Sequence, residues 1–166
     1  IEWLTSACDF CNSLVDRIVP GYPRAEADAI CEKLGYKDNL LDSAELFLLW
    51  VIECHGKFHD DELPTAKAGV NVIWTDDMSF YRTRKVRILN GAHTMSVLAA
   101  YQTGLNTVEE CIKSDLIFPM MKRGLFEEII PSMDGDKAQL EEYANDVLVR
   151  FANPFIVHLL LSISLN

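Results

Sequence analysis

Apolar positions along the chain follow two rhythms, and the change falls near residue 78. Before it, short apolar runs alternate with turn formers. Residues 14–19 (LVDRIV) predict a short strand. Pro20-Gly21-Tyr22-Pro23 closes it, because proline fixes the backbone and glycine permits angles that other residues avoid. Residues 25–34 predict one short helix ended by Gly35. The run at residues 46–52 (LFLLWVI) fits a strand buried on both faces, although its composition also permits a buried helix. Residues 70–74 are a second strand of this kind. Residues 54–69, with Gly56, Pro64 and Gly69 among charges, predict a surface loop.

From about Ser79 the apolar spacing becomes helical. Residues 80–102 predict one long helix stopped at Gly104, and residues 107–113 a short one with Asn106 as cap. Residues 116–130 continue the pattern around Pro119, with Pro131 ending it. Residues 137–151 and 154–165 follow, the latter with Asn153 as cap and Pro154 at the first helical position. The expected fold class is mainly α with a small α/β part.

Composition narrows this picture. The 166 residues include 49% hydrophobic and 24% charged side chains, enough for a buried core and unlike a disordered chain. Twenty-five acidic against 15 basic residues give a net charge of −10, which argues against nucleic-acid binding through a generally basic surface. No apolar run reaches the ~18 residues of a membrane span, and Ile1-Glu2-Trp3-Leu4 lacks the regions of a signal peptide. The expectation is a soluble, cytoplasmic protein with no membrane partner. Cysteines 8, 11, 31, 54 and 111 are odd in number and loosely spaced, which favours reduced thiols over a disulfide framework. The chain opens without Met and stops at Ser164-Leu165-Asn166, and is read as part of a longer one.

Candidate chemistry concentrates on the long predicted helix. On an ideal α-helix Asn90 lies about 140° and His93 about 80° around the axis from Lys85, over a rise of about 12 Å. A broad face carrying all three would offer an amine, an amide and an imidazole, a set suited to proton transfer at a carbinol or carbonyl carbon. The lysine would need desolvation or nearby positive charge to titrate near neutrality. The competing reading is a set of ordinary polar residues on a partly exposed helix. Arg82, Arg84, Lys85 and Arg87 crowd the start of the helix, where its dipole disfavours cations, so an anion is expected nearby. Asp76 and Asp77 are the simple candidates, and a substrate carboxylate is the alternative.

The spacing Lys85-x4-Asn90-x2-His93 resembles the catalytic signature of the polyol-specific long-chain dehydrogenases, the mannitol dehydrogenase family. Phe10-Cys11-Asn12-Ser13-Leu14-Val15-Asp16-Arg17-Ile18-Val19-Pro20 is similar to that family's Asn-Ser-x-Val-Asp-Arg-Ile signature. The resemblance covers essentially the whole chain, including Leu49-Trp50-Val51-Ile52-Glu53, Leu89-Asn90-Gly91-Ala92-His93-Thr94 and Arg150-Phe151-Ala152-Asn153-Pro154. Gly21-Tyr22-Pro23 and residues 126–131 and 158–166 look most like the branch that reduces tagaturonate to altronate.

The resemblance implies a metal-free, NADH-dependent reduction of a hexuronate keto group. Lys85 would be the general acid or base, Asn90 and Asn12 would stabilise the developing oxyanion, and His93 would position substrate hydroxyls. Arg150 would contact substrate and could hold a carboxylate in its planar fork. His158 and Glu53 are further substrate-pocket candidates. Arg82 stands where mannitol-branch relatives often carry an acid, which favours an anionic substrate and puts the polyol branch's proton route in doubt. Fructuronate or mannitol as substrate, and NADP as cofactor, stay open.

No G-x-G-x-x-G turn occurs in the chain, so NAD is expected to bind mainly to a domain outside it. Residues 1–78 are therefore expected to be the end of a Rossmann-type domain. Residues 79–166 would begin an all-helical substrate domain, and the 166 residues alone are expected to be inactive.

Other signals have plainer readings. Cys8-x2-Cys11 lacks a second pair and is read as structural. His55, His59, Asp60 and Asp61 are read as a solvated turn in place of a metal site. His158 also fits a hydrogen-bonded core histidine. Phe118, Met120, Met121, Leu125, Phe126, Ile129 and Ile130 fit helical core, and Glu109, Glu110, Glu127, Glu128, Glu141 and Glu142 fit solvated faces. The rival function class is a non-catalytic helical module that binds a partner through exposed residues 46–74. No feature fixes the oligomeric state.

Overall fold

Where each segment sends its backbone hydrogen bonds divides the chain in two. The computed structural model describes residues 1–56 and 58–165; Lys57, in the predicted loop, and Asn166, at the end of the last resembling segment, lie outside the described residues. In chain order the first elements are α1 (Glu2–Ala7), β1 (Asn12–Asp16), α2 (Ala27–Leu34), β2 (Leu49–Glu53), β3 (Val72–Thr75) and α3 (Ser79–Arg84). A π-helical segment, Lys85–Asn90, leads into α4 (Gly91–Gln102), followed by α5 (Val108–Lys113) and α6 (Ile117–Arg123). A second π segment, Gly124–Ile129, precedes α7 (Ile130–Ser132), α8 (Lys137–Phe151) and α9 (Leu160–Ser164). One unit comprises Ile1–Arg17 and Leu46–Lys85, and the other Ile18–Glu45 and Val86–Asn166.

The first unit is a three-stranded sheet in the order β1-β2-β3 with short helical pieces. β1 runs antiparallel to β2, with Asn12 opposite Glu53 and Asp16 opposite Leu49; β3 runs parallel to β2, with Val51 opposite Ile73. β2 is central. That position accounts for its unbroken apolar sequence, since Val51 and Ile52 on opposite faces are both buried. The strand starts three residues later than the apolar run and leaves Leu46 exposed. The surface expected to bind a partner through residues 46–74 is therefore largely sheet interior at β2. β1 lies two residues earlier than predicted, because pairing ends at Asp16 and the Ile18 N–H is given to the Glu45 side chain. Between β2 and β3 the expected loop contains one 3-10 turn, Thr65–Ala68, closed by Gly69 at φ 70°. α1 was not legible in the apolar pattern, and it buries none of its residues.

The second unit is helical around one core. Leu140, Tyr143, Ala144, Val147, Leu148 and Phe151 give α8 a buried stripe at helical spacing. Asp136 caps its first turn by accepting the Ala138 N–H. The α8 bounds agree with the predicted helix, and α2 ends as expected at Gly35, φ 77°. Met121, Leu125, Ile130 and Leu160 complete the interior, with Phe118, Phe126 and Ile129 half-buried against it; the core reading of Phe118, Met121, Leu125, Phe126, Ile129 and Ile130 is borne out, while Met120 is exposed.

Three predicted boundaries need correction. The cap of α5 is Thr107 and not Asn106: Thr107 and Glu110 form a reciprocal capping box, and the Asn106 N–H also goes to the Glu110 carboxylate. Glu110 is thus a cap as well as a surface acid. Pro131 does not end its helix but sits within the short final turn α7, where its missing N–H is tolerated near the start. Residues 154–159 are not helical. Asn153 does accept the Phe155 N–H, but the following backbone pairs across to the start of α5: Val108 donates to His158, and Leu160 donates to Asn106. Tertiary pairing overrides the local cap, and only α9 remains helical. Among the described residues, no helix is long and apolar enough to cross a membrane.

Candidate functional site

In the first unit the strand register sets the geometry. Asn12 and Glu53 face each other across β1 and β2, and Asn12 Nδ2 donates to Glu53 Oε1 at 2.8 Å. The other carboxylate oxygen, Oε2, accepts the Met78 N–H at 2.8 Å. These two bonds, Asn12 first, hold the Glu53 carboxyl below its usual range, and His55 and Arg82 add to the effect. Glu53 is therefore an ionised orienter of Asn12. An amide nitrogen carries two hydrogens, so Asn12 keeps a second donor beyond this bond.

Of the two acids expected beside the cation cluster, Asp77 is close enough to Arg82 for that charge to act on its carboxyl. Asp77, one residue before the N-cap Met78, accepts the Ser79 N–H at 2.8 Å at the start of α3. Its carboxyl is held down mainly by Ser79, with Arg82 contributing. Asp76 accepts the Gly56 N–H at 3.0 Å. Arg84 lies over the Phe80 and Tyr81 rings, 5.4 and 5.6 Å from their centroids.

Lys85 and Asn90 are the first and last residues of the π segment. Its i→i+5 turns are wider than those of an α-helix, so the angular offset expected for an ideal α-helix does not hold there. π segments occur often at functional sites, but Gly124–Ile129 forms one with no candidate residue. Lys85 is partly buried and belongs to the first unit; Asn90 is exposed and belongs to the second.

The second unit holds a buried imidazole cluster. His93, on α4, stacks on Phe151 with ring centroids 4.4 Å apart and an interplanar angle of 12°. His158 meets His93 edge-on at 5.3 Å. Burial pushes the His93 imidazole down to about 3, and the charges of His158 and Arg150 act in the same direction. His158 is also lowered by burial, with Glu45 opposing. Both rings are thus neutral near pH 7, and each nitrogen pair comprises one donor and one acceptor. His93 Nε2 and His158 Nδ1 are buried without a hydrogen-bond partner among the described residues. An unmet polar atom in such a place costs about 1–3 kcal/mol, so a ligand that supplies the bond gains accordingly.

Beside this cluster, Arg150 holds Glu45. Arg150 Nη2 donates to Glu45 Oε1 at 2.7 Å, and Nε lies 3.1 Å from Oε2; the side chains are 7% and 3% exposed. The Ile18 N–H also reaches Oε1, at 2.6 Å. The planar fork expected for a substrate carboxylate therefore grips an internal one. Glu45 and the Phe151 stacking partner were not singled out from sequence. Glu45 carries no motif, and only its place just before the apolar run hinted at burial.

Within the first unit the structure joins Asn12 to Glu53, and within the second it groups His93 and His158 with Arg150. Residues 77–166 match the family model described as the mannitol dehydrogenase C-terminal domain, and residues 1–66 match the mannitol dehydrogenase Rossmann domain. An altronate oxidoreductase of Escherichia coli O6:K15:H31 (strain 536 / UPEC) is 48% identical over 100% of this chain, and one of Shigella flexneri is equally similar. The chain spans 34% of the length of each of these relatives. Among solved structures, a substrate-free D-sorbitol dehydrogenase matches with a TM-score of 0.79 and 29% identity, over 98% of this chain and 33% of that one. Pseudomonas fluorescens mannitol 2-dehydrogenase, solved in a ternary complex with NAD and D-mannitol, matches with a TM-score of 0.77 and 25% identity, over 98% of this chain and 32% of that one.

Proposed function

Because the chain belongs to the mannitol dehydrogenase family, we propose that it is the proton-transfer and substrate-binding part of a nicotinamide-dependent oxidoreductase that reduces a hexuronate, tagaturonate, to altronate. The relatives that are 48% identical over the full chain are altronate oxidoreductases, which supports the uronate. A cytoplasmic location and a small-molecule substrate belong to the same proposal.

The left-handed glycines among the described residues, Gly21, Gly35, Gly56, Gly69, Gly104 and Gly135, are isolated, and none forms part of a pyrophosphate-binding turn. The proposal accordingly takes NAD to be held mainly by residues other than these. When bound, that cofactor supplies the hydride that the keto carbon gains. Lys85 donates the proton that the keto oxygen gains, and takes it back in the reverse direction. Asn90 and the remaining amide donor of Asn12 stabilise charge on that oxygen. Glu53 fixes the Asn12 amide, and His93, with His158, receives substrate hydroxyls.

The observation that carries this reading is the His93 ring: buried, held neutral, stacked on Phe151, and with Nε2 lacking a hydrogen-bond partner among the described residues. A neutral imidazole so placed is suited to binding a hydroxyl and unsuited to moving a proton at neutral pH. One observation favours a second reading, a neutral polyol or keto sugar: the Arg150 fork already contains Glu45.

The test uses the complete protein with NADH and tagaturonate, fructuronate or fructose. Lys85→Ala should lower kcat by roughly 10²- to 10⁴-fold while NADH binding is retained. Unchanged turnover in that variant would remove Lys85 from the chemistry. Turnover of fructose in preference to both uronates would select the second reading.

A further inference from the structure

The sheet register gathers three side chains that the proposed reduction leaves unused. Asn12 pairs with Glu53 across antiparallel β1 and β2, so the next step outward sets Cys11 against Cys54. His59 joins them from the loop after β2: one ligand atom from each of Cys11, Cys54 and His59 lies within 4.8 Å of the other two. Cys54 is buried and His59 half-buried, while Cys11 opens to solvent. Carboxylates flank both ring nitrogens, with Asp9 Oδ2 3.0 Å from Nε2 and Glu62 Oε2 3.3 Å from Nδ1.

We propose that Cys11, Cys54 and His59 form a binding site for a thiophilic divalent cation, with Zn²⁺ the best chemical match. Two thiolates and an imidazole are a zinc donor set, and three protein ligands leave a fourth position for water. Zn–S bonds of ~2.3 Å in a tetrahedron place two sulfurs about 3.8 Å apart, so closing the observed cluster requires at most about an ångström of movement. Whichever imidazole nitrogen binds, the other retains a carboxylate neighbour, an arrangement that orients a metal-bound histidine. Both thiols lose their protons on binding, so two positive charges arrive and two protons leave; affinity therefore falls on acidification. Occupation pins the ends of β1 and β2 beside the Asn12–Glu53 pair. The ion takes no part in the proposed reduction.

The test is a Co²⁺ titration of the complete protein, reduced and stripped of metal, followed by absorption spectroscopy. One equivalent should produce thiolate-to-cobalt charge-transfer absorption, and Zn²⁺ should displace it. Cys11→Ser changes an exposed side chain and should abolish the band. Cys8→Ser, outside the cluster, should retain it. Absence of the band, its survival in Cys11→Ser or its loss in Cys8→Ser would overturn the assignment.

Discussion

Glu53 and Glu45 are both carboxylates that accept a backbone amide and a side-chain donor, yet they sit in opposite environments. In the sheet unit, Glu53 is half-buried and bound by the neutral Asn12 amide. In the helical unit, Glu45 is 3% exposed and held by the Arg150 guanidinium. A carboxylate that keeps part of its surface in water and is bound by neutral donors can orient a neighbour at little energetic risk. A buried ion pair ties its partners together, because losing either one strands the other's charge. The contrast separates a residue that positions a reacting group from a pair that holds the walls of the imidazole cluster.

The largest expected effect tests that difference directly. Glu45→Ala in the complete protein should destabilise it by about 3–5 kcal/mol, read as a lower urea midpoint, because Arg150 is left buried without its carboxylate. A change below about 1 kcal/mol would mean that solvent already screens the pair, as at surface ion pairs.

Acidification should come next. His93 has a folded-state pKa of about 3 against 6.5 when unfolded, so the unfolded chain binds more protons between those values. Its contribution to stability is full above pH 6.5 and declines as pH falls toward 3, by up to about 1.4 kcal/mol per unit. Urea titrations across this window should show the slope, and His93→Phe should reduce it, the remainder including His158, which burial also lowers.

The same variant sharpens the comparison at the site. Phenylalanine can keep the stack on Phe151 while removing the ring nitrogens, so stability at pH 7 should hold while kcat/KM falls roughly tenfold, the value of about one hydrogen bond. An unaltered kcat/KM would make His93 a core residue only. Glu53→Gln should have the smallest effect on folding, with an unchanged urea midpoint at pH 7 and a lower kcat from a less firmly oriented Asn12. A large midpoint shift would place Glu53 with Glu45 as structural.

Much of this architecture was readable from local pattern. The α8 stripe, Gly35 after α2 and the apolar β2 each express a preference that tertiary structure leaves intact. Residues 154–159 were misread because pairing with the start of α5 outweighs the Asn153-Pro154 helix signal. The π turns were invisible, since their sequences still look α-helical. At the candidate site, spacing marked Lys85, Asn90 and His93, and a second motif marked Asn12. The internal partner of Arg150 was not legible: Glu45 lies 105 residues away, and no local rule joins them. The Cys11, Cys54 and His59 cluster depends likewise on strand register, which sequence fixed only to within two or three residues.

The measurement that bears most directly on the proposed reduction is the imidazole ¹H–¹⁵N spectrum of the complete protein, with the His93 signal assigned by its loss in His93→Phe. The account predicts a neutral ring at pH 5, well above its value of about 3, and a shift of one ring nitrogen when altronate binds. A ring that titrates near 6.5, or one unmoved by bound altronate, would contradict it.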